Sequence, residues 1–508
     1  MKAKKLSKFL NLELAWRRIQ RDQYNDFIPD ILELRDVDHD RTATLKNLRD
    51  NLERGYEPSD LLEIDVPKKG YTLRPGSNMV PEDRVVYQAV VDFISSEVEQ
   101  PPADACFSSR LNKKQYDKDM FEFWRPLWLE WKRKMREVYA DGYCCLLKTD
   151  IAAYFEHIDH DILRTDILNG QVKNKEVLDL LDKLLRKWAV SEARHIGIPQ
   201  GCDASSYIGN LYLINLDKIM LREGFKYFRY SDQIYVLTKD KREARKAIKL
   251  ITHKLRELHL NLQDAKTDII TERKKVEQEI GTEEEDKTRD FDYTFERKPK
   301  TGKIEEPEEK IIKEYKKVTR NGKAKEVDIS KFTWCINRLA EIRSEKAVDF
   351  MLRRFADLPS LADLFFKYLK LFANRKCVKD KIADFLPSQD NIYDWQEMWL
   401  LFTLSKAKKL DGKHLDIVRE IIRDKGKHWT SRAAAIFVLG KLSDDTDINW
   451  LKGEYSNEHN NYVKRAIGVS VHNLPKSARN KFYSQIEKDS HDIERLVKYL
   501  RQEHIETF

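Results

Sequence analysis

Cysteine is scarce and scattered in this chain, with six in 508 residues, at positions 106, 144, 145, 202, 335 and 377, and no Cys-x-x-Cys pair. A disulfide framework and a zinc knuckle are thereby excluded, which leaves reduced, mostly buried thiols. No run approaches the roughly 20 apolar residues of a bilayer-spanning helix, and Met1-Lys2-Ala3-Lys4-Lys5 leads into amphipathic sequence rather than a secretory signal, so a soluble cytoplasmic protein is expected. No Gly-rich phosphate loop is present: Gly440-Lys441-Leu442 lacks the upstream glycine, and an ATPase reading has no support. Charge of one sign is also missing, because 94 basic residues face 86 acidic ones. The net +8 permits nucleic-acid binding without announcing it, and the runs Arg17-Arg18-Ile19-Gln20-Arg21 and Lys132-Arg133-Lys134 read equally as solvated helix faces.

What is present is enough apolar sequence, 41% of residues, for more than one core in a chain of this length. Residues 1–60 read as a helical lead-in, and helical spacing continues through Val86, Ala89, Val90, Phe93 and Ile94. From 143 to 270 short apolar runs alternate with helical segments, the pattern of a mixed α/β unit. Residues 271–328 carry dense mixed charge with Gly281, Pro299, Gly302, Pro307 and Gly322, and little apolar periodicity beyond Phe291, Tyr293 and Phe295; this is a linker or insertion. Residues 329–508 are helical in repeating pieces such as Trp429 to Leu442 and Asn461 to Leu474, which suggests stacked helix pairs of the HEAT type, with an irregular helical domain as the alternative.

Two carboxylates occupy unusual places. The buried-strand run Cys144-Cys145-Leu146-Leu147-Lys148-Thr149 ends in Asp150, and the apolar runs Phe225 to Tyr230 and Ile234 to Leu237 bracket Ser231-Asp232-Gln233, a β-hairpin with an acid at its tip. Aspartates on neighbouring strands would supply the hard oxygen ligands that two divalent ions need for nucleotidyl transfer. Alone, each is more often a turn or cap residue than a metal ligand. His157, His160 and Asp161 read as helix residues following Asp150 rather than as a zinc site.

Between the acids lie Gly197-Ile198-Pro199-Gln200-Gly201, then Ser205, Asn210 and Tyr212-Leu213, with Leu216-Asp217 beyond them. An acid followed by aromatics, then Ile-Pro-Gln-Gly-x-x-x-Ser-x-x-x-x-Asn-x-Tyr-Leu, then Tyr-x-Asp, resembles the palm motifs of reverse transcriptases in order and spacing. The resemblance covers roughly residues 60 to 270. Upstream it takes in Lys68-Lys69-Gly70, Arg74-Pro75, Asp83-Arg84 and Phe107-Ser108-Ser109-Arg110; downstream it takes in Leu258-His259-Leu260-Asn261-Leu262 with Lys266-Thr267.

It implies an α/β right-hand polymerase fold, fingers and palm over residues 61–270, followed by an all-α, HEAT-like domain. It also implies RNA-directed DNA polymerase activity on dNTPs with Mg2+, or Mn2+, as cofactor. Asp150, Asp232 and the Ile151 carbonyl would ligate metal, and Lys266 would protonate the leaving pyrophosphate. Phe155 would be the steric gate against a ribose, Gln200 would touch the nascent base pair, and Lys69, Arg74 and Arg110 would meet the triphosphate. Lys266 is otherwise a surface lysine, and each arginine otherwise a structural ion pair.

One departure stands out: Gln233 follows Asp232 where most reverse transcriptases have a second acid. The palm is therefore either active with weaker metal affinity or a scaffold serving another polymerase or an RNA. The helical tail resembles bacterial defence-associated, abortive-infection-type reverse transcriptases; a mobile-element enzyme is the other reading within the class. The defence group implies RNA or DNA as partner, a companion protein or noncoding RNA, oligomers, and sometimes a tyrosine primer. Tyr455, Tyr462 and Tyr483 look exposed enough for that, although packing is the commoner fate of such residues.

Overall fold

The computed structural model describes residues 6–23, 26–190, 195–282, 308–319, 328–502 and 504–507. Most of the charged tract from 271 to 328, with Phe291, Tyr293, Phe295, Pro299, Gly302, Pro307 and Gly322, lies outside the described residues, as does the Met1–Lys5 start. Within that tract Arg273–Ile280 and Glu308–Thr319 are helices.

The chain divides into two compact units. The first takes Met1–Asp26, Thr42–Leu62 and Ser77–Gly302; the second takes Phe27–Arg41, Glu63–Gly76 and Lys303–Phe508. The lead-in over residues 1–60 is thus shared between them, and so is the fingers sequence after residue 62.

Two strands, β1 (Leu62–Pro67) and β2 (Leu73–Asn78), form a hairpin. The centre of the first unit is an antiparallel sheet of β3 (Cys145–Asp150), β4 (Lys226–Tyr230), β5 (Gln233–Thr238) and β6 (Asp268–Ile270), in the order β4-β5-β3-β6. Alternation sends the side chains of β3 to opposite faces. Leu146 joins Phe228, Tyr235, Leu237 and Ile270 on one face, packed with Trp131 and Met135 of helix Trp124–Ala140 and with Val276 and Ile280 of helix Arg273–Ile280. The opposite face meets helices Ile214–Arg222 and Lys241–Glu257, the latter through a stripe of Ala244, Ala247, Ile251 and Leu255 at helical spacing. Asp240 caps that helix, accepting from the Glu243 N–H at 2.8 Å. Each fully buried aliphatic side chain here stabilises by about 1.5–3 kcal/mol, so the sheet is a firm platform for its loop ends.

In the second unit helices Ala362–Leu369, Asp394–Leu404, Trp429–Leu442, Asn461–Val471 and His491–Leu500 pack one upon the next. From Lys376 onward each is preceded by a partner helix packed against it: Lys376–Phe385, Gly412–Arg423, Asp445–Glu454 and Lys476–Ile486. The helical tail expected from the periodicity is therefore a stack of helix pairs. Gly440 lets two of these helices touch, since a Cβ there would sit 2.1 Å from the Ser470 Oγ. The buried Asp36 binds Arg465 at 2.7 Å and Arg495 at 3.4 Å, fixing residues 27–41 to the last helices of the same unit. Burial raises the Asp36 carboxyl, and the two guanidinium groups pull it down to about 2.

The exposed appearance of Tyr455, Tyr462 and Tyr483 is corrected here, because all three are buried. Their hydroxyls donate to Asp489, to the Pro29 carbonyl and to the Gly468 carbonyl. Each ring fills a gap between helices. Four of the six cysteines are buried, with Cys144 and Cys377 exposed.

Candidate active site

Asp150 is the last residue of β3 and pairs in register with Gln233, the first residue of β5. Tyr230 pairs with Gln233 across the hairpin, so only Ser231 and Asp232 form the turn. Both carboxylates therefore stand at one end of the sheet. The backbone joins them as well, with the Ile151 N–H donating to the Asp232 carbonyl at 3.2 Å and the Gln263 N–H to the Asp150 carbonyl at 2.8 Å. Burial and then the Asp150 charge push the Asp232 carboxyl above its ordinary value, while Lys266 and Arg229 oppose the shift. Lys266 donates to Asp150 Oδ2 at 2.9 Å, from a short turn that Thr267 anchors to Thr149 at 2.7 Å. Two carboxylates under mutual repulsion, offering hard oxygens beside the Ile151 backbone, are a donor set that fits divalent cations.

The turn itself is strained. Ser231 has φ 57°, in the left-handed region that the first position of so tight a hairpin turn usually reserves for glycine. Two groups hold it: the Ser231 N–H donates to Ser108 Oγ at 2.7 Å, and Arg229 Nη1 donates to the Ser231 carbonyl at 2.9 Å. Arg229 is fully buried and forked on Asp217 at 2.8 and 2.6 Å, with a further bond to Asn210 Oδ1 at 2.9 Å. Tyr227 also donates to Asp217, at 2.9 Å, and Asn210 donates to the Ser108 carbonyl at 2.7 Å. Sequence reasoning assigned no role to this network. Its signal was Arg229 itself, a cation inside an apolar strand, which must find a buried partner.

Phe155 lies on the turn after Asp150, half-buried, its ring against Gly209 of helix Asp203–Tyr212. A Cβ on Gly209 would meet Phe155 Cε1 and Tyr154 Cε1 at 3.3 Å each. The Phe155 carbonyl accepts from the Ile198 N–H at 2.9 Å, which ties this residue to the loop that carries Gln200. His160 Nε2 bonds the Gly197 carbonyl of that loop at 2.7 Å, while Ser77 Oγ accepts from the Gln200 N–H at 3.3 Å. Asp150, Ile151, Phe155, Gln200, Asp232 and Lys266 are thus linked within the first unit.

Of the three basic residues expected at the triphosphate, Arg110 belongs to the first unit, and Lys69 and Arg74 to the second. Arg110 is committed to its own loop, bonded to Cys106 O at 2.8 Å, to Ala103 O and to Glu130 at 2.9 Å, with its guanidinium 4.8 Å from the Phe107 ring centre. The parts of that motif that touch the hairpin are Phe107, whose N–H donates to the Arg229 carbonyl at 3.0 Å, and Ser108. Lys69 is exposed at the β1–β2 tip and Arg74 lies over the Phe27 ring at 5.7 Å.

With this geometry in view, the class follows: the family model for reverse transcriptase (RNA-dependent DNA polymerase) matches residues 66–294, and the chain carries a reverse transcriptase domain there. Two relatives are similar over part of the chain. The group II intron-encoded protein LtrA of Lactococcus lactis subsp. cremoris is 32% identical over 114 residues, 22% of this chain and 18% of its own. The COX1/OXI3 intron 2 protein of Saccharomyces cerevisiae is 37% identical over 84 residues, 15% of this chain and 10% of its own. The chain thus spans less than a fifth of the length of these relatives. No helix among the described residues is long and apolar enough to cross a membrane.

Proposed function

We propose that this domain is an RNA-directed DNA polymerase that joins deoxynucleoside triphosphates by two-metal nucleotidyl transfer. The main support is the placement of Asp150 and Asp232 at one end of the palm sheet, with Lys266 bonded to the first of them. Asp150, Asp232 and the Ile151 carbonyl would hold magnesium or manganese, which when bound supplies the charge that activates a 3′-hydroxyl and steadies a triphosphate. Lys266, bonded to Asp150 at 2.9 Å, would donate a proton to the departing pyrophosphate. Phe155, backed by Gly209, crowds a ribose 2′-hydroxyl and selects dNTPs, and Gln200 meets the nascent base pair. Gln233 keeps an amide oxygen beside Asp150 without adding charge, which weakens metal binding rather than abolishing it.

The setting has two readings. The stack of helix pairs, HEAT-like in arrangement, supports antiphage defence of the abortive-infection type, with a noncoding RNA, a companion protein or further copies of the chain as partners. The intron-encoded relatives favour a mobile-element enzyme copying a supplied RNA. Purified protein is given labelled dNTPs with magnesium or manganese, with and without an RNA template and DNA primer. DNA made only on the supplied RNA selects the mobile-element reading. DNA made without it selects the defence reading, and protease-sensitive mobility would then mark a protein primer. No product in either arm, with partners from the genomic neighbourhood added, would hand the fold to the scaffold reading.

A further inference from the structure

We propose that the second unit carries a track for single-stranded nucleic acid along the C-terminal ends of its stacked helices, where Lys370, Lys406 and Lys441 each hold a backbone phosphate. Lys370 directly follows helix Ala362–Leu369, Lys406 lies two residues past helix Asp394–Leu404, and Lys441 sits in the last turn of helix Trp429–Leu442. These three helices pack in succession. Packed helix axes are about 8–10 Å apart, so two steps make a row about 20 Å long. That is too long for one free phosphate and suits a chain of them.

A cation at a helix C-terminus complements the helix dipole, which would account for each lysine separately. It does not account for their sharing one edge. Half-burial, followed by the charges of Lys441 and Lys370, pulls Lys406 down to about 8, so the three ammonium groups lie close enough to repel one another. The acid that acts on Lys370 and Lys406, Glu33, is paired with Arg35 at 2.7 Å. Among the described residues no carboxylate lies within ion-pair distance of Lys370 or Lys441. Their ammonium groups lie 5.2 Å from the Phe366 ring centre and 5.8 Å from that of Phe437, resting on apolar surface. The row ends at a cavity of about 290 Å³ lined by Lys441, Ser470, His472, Asn473, His504 and Thr507, room for one further polar unit of the strand. A single file of cations fits one backbone rather than two. The choice of nucleic acid among polyanions rests on the reverse transcriptase domain of the same chain; the anion track itself does not.

The test is fluorescence anisotropy of the full chain with a labelled single-stranded DNA, without dNTPs or divalent metal, over a series of salt concentrations. The triple variant K370Q/K406Q/K441Q is expected to bind at least about tenfold more weakly at low salt. Its plot of log affinity against log salt should be shallower by about 2, since each lost contact to a single strand removes about 0.7. The triple Lys→Arg variant keeps the charges and should bind as wild type does. The proposal is overturned if the Gln variant matches wild type in affinity and slope. It is also overturned if the Arg variant loses as much, which would mean packing, or if inorganic polyphosphate competes equally per phosphate, which would mean no preference for nucleic acid. Repeating the comparison in an Asp232→Asn background separates this result from any failure of the polymerase reading, because the track does not use the palm.

Discussion

The buried fork between Arg229 and Asp217 offers the sharpest perturbation of the palm. Asp217→Asn removes the negative charge while keeping the shape, which leaves a guanidinium of zero exposure with neutral partners only. Breaking a buried ion pair in this way costs about 3–5 kcal/mol, a large share of the roughly 5–15 kcal/mol that holds a domain folded. Replacing both partners together, as Arg229→Met with Asp217→Leu, leaves no unpaired charge and should recover much of that loss. Activity should follow a different course. Arg229 also donates to the Ser231 carbonyl at 2.9 Å, so the apolar pair restores the core but not the clamp on the strained turn that carries Asp232. Urea unfolding followed by tryptophan fluorescence, beside DNA synthesis on a primed RNA, reads the two effects separately. The expected pattern is a single variant that is unstable and inactive and a double variant that is more stable yet still impaired by at least about tenfold. If the single variant costs under about 1 kcal/mol, or the double variant polymerises like wild type, the clamp reasoning is wrong.

Three further outcomes are expected. Gly209→Ala presses a methyl to 3.3 Å from the Phe155 ring, so dNTP use should drop while discrimination against ribonucleotides holds or rises; Phe155→Val should admit ribonucleotides, and the ratio of kcat/KM values measures both. Gln233→Asp places a carboxylate in register with Asp150, so half-saturation should need less magnesium while the metal-free protein melts at a lower temperature. Asp83, which accepts from Tyr56 at 2.5 Å and from the Ser59 N–H at 2.9 Å, is raised by burial from 3.8 to about 6. The folded state therefore holds its proton more tightly than the unfolded one. Its stabilising share is complete below about pH 4 and is lost by about 3 kcal/mol as pH rises through 6; the wild-type urea midpoint should decline across that window more than that of Asp83→Asn.

Much of the palm was legible because its signals are local. A buried strand ending in Asp150, and a hairpin around Asp232, follow from period-two apolar runs and a turn, and the motif spacing placed Phe155, Gln200 and Lys266 in the same domain. The helices after Ile329 were legible from apolar periodicity, while their pairing was one of two readings that the periodicity left open. Other features depend on pairings distant in sequence. Nothing local to Arg229 names Asp217 and Asn210, 12 and 19 residues away, as its partners, and nothing local to Arg110 names Glu130, 20 residues away. The tyrosines at 455, 462 and 483 stand among polar neighbours, and only the stacked helices bury them. The segments 27–41 and 63–76 join the second unit although they precede the palm: Asp36 binds Arg465 and Arg495, and the Tyr71 hydroxyl donates to the Asp357 carbonyl at 3.2 Å.

The most direct test of the central claim compares wild type with Asp150→Asn and Asp232→Asn in magnesium-dependent incorporation of labelled dNTPs, each protein supplied with a primed RNA template and, separately, with no template. The account predicts DNA from the wild type in at least one arm and a loss of at least about a thousandfold in each variant, with folding unchanged by circular dichroism. Equal synthesis by wild type and Asp232→Asn would contradict it.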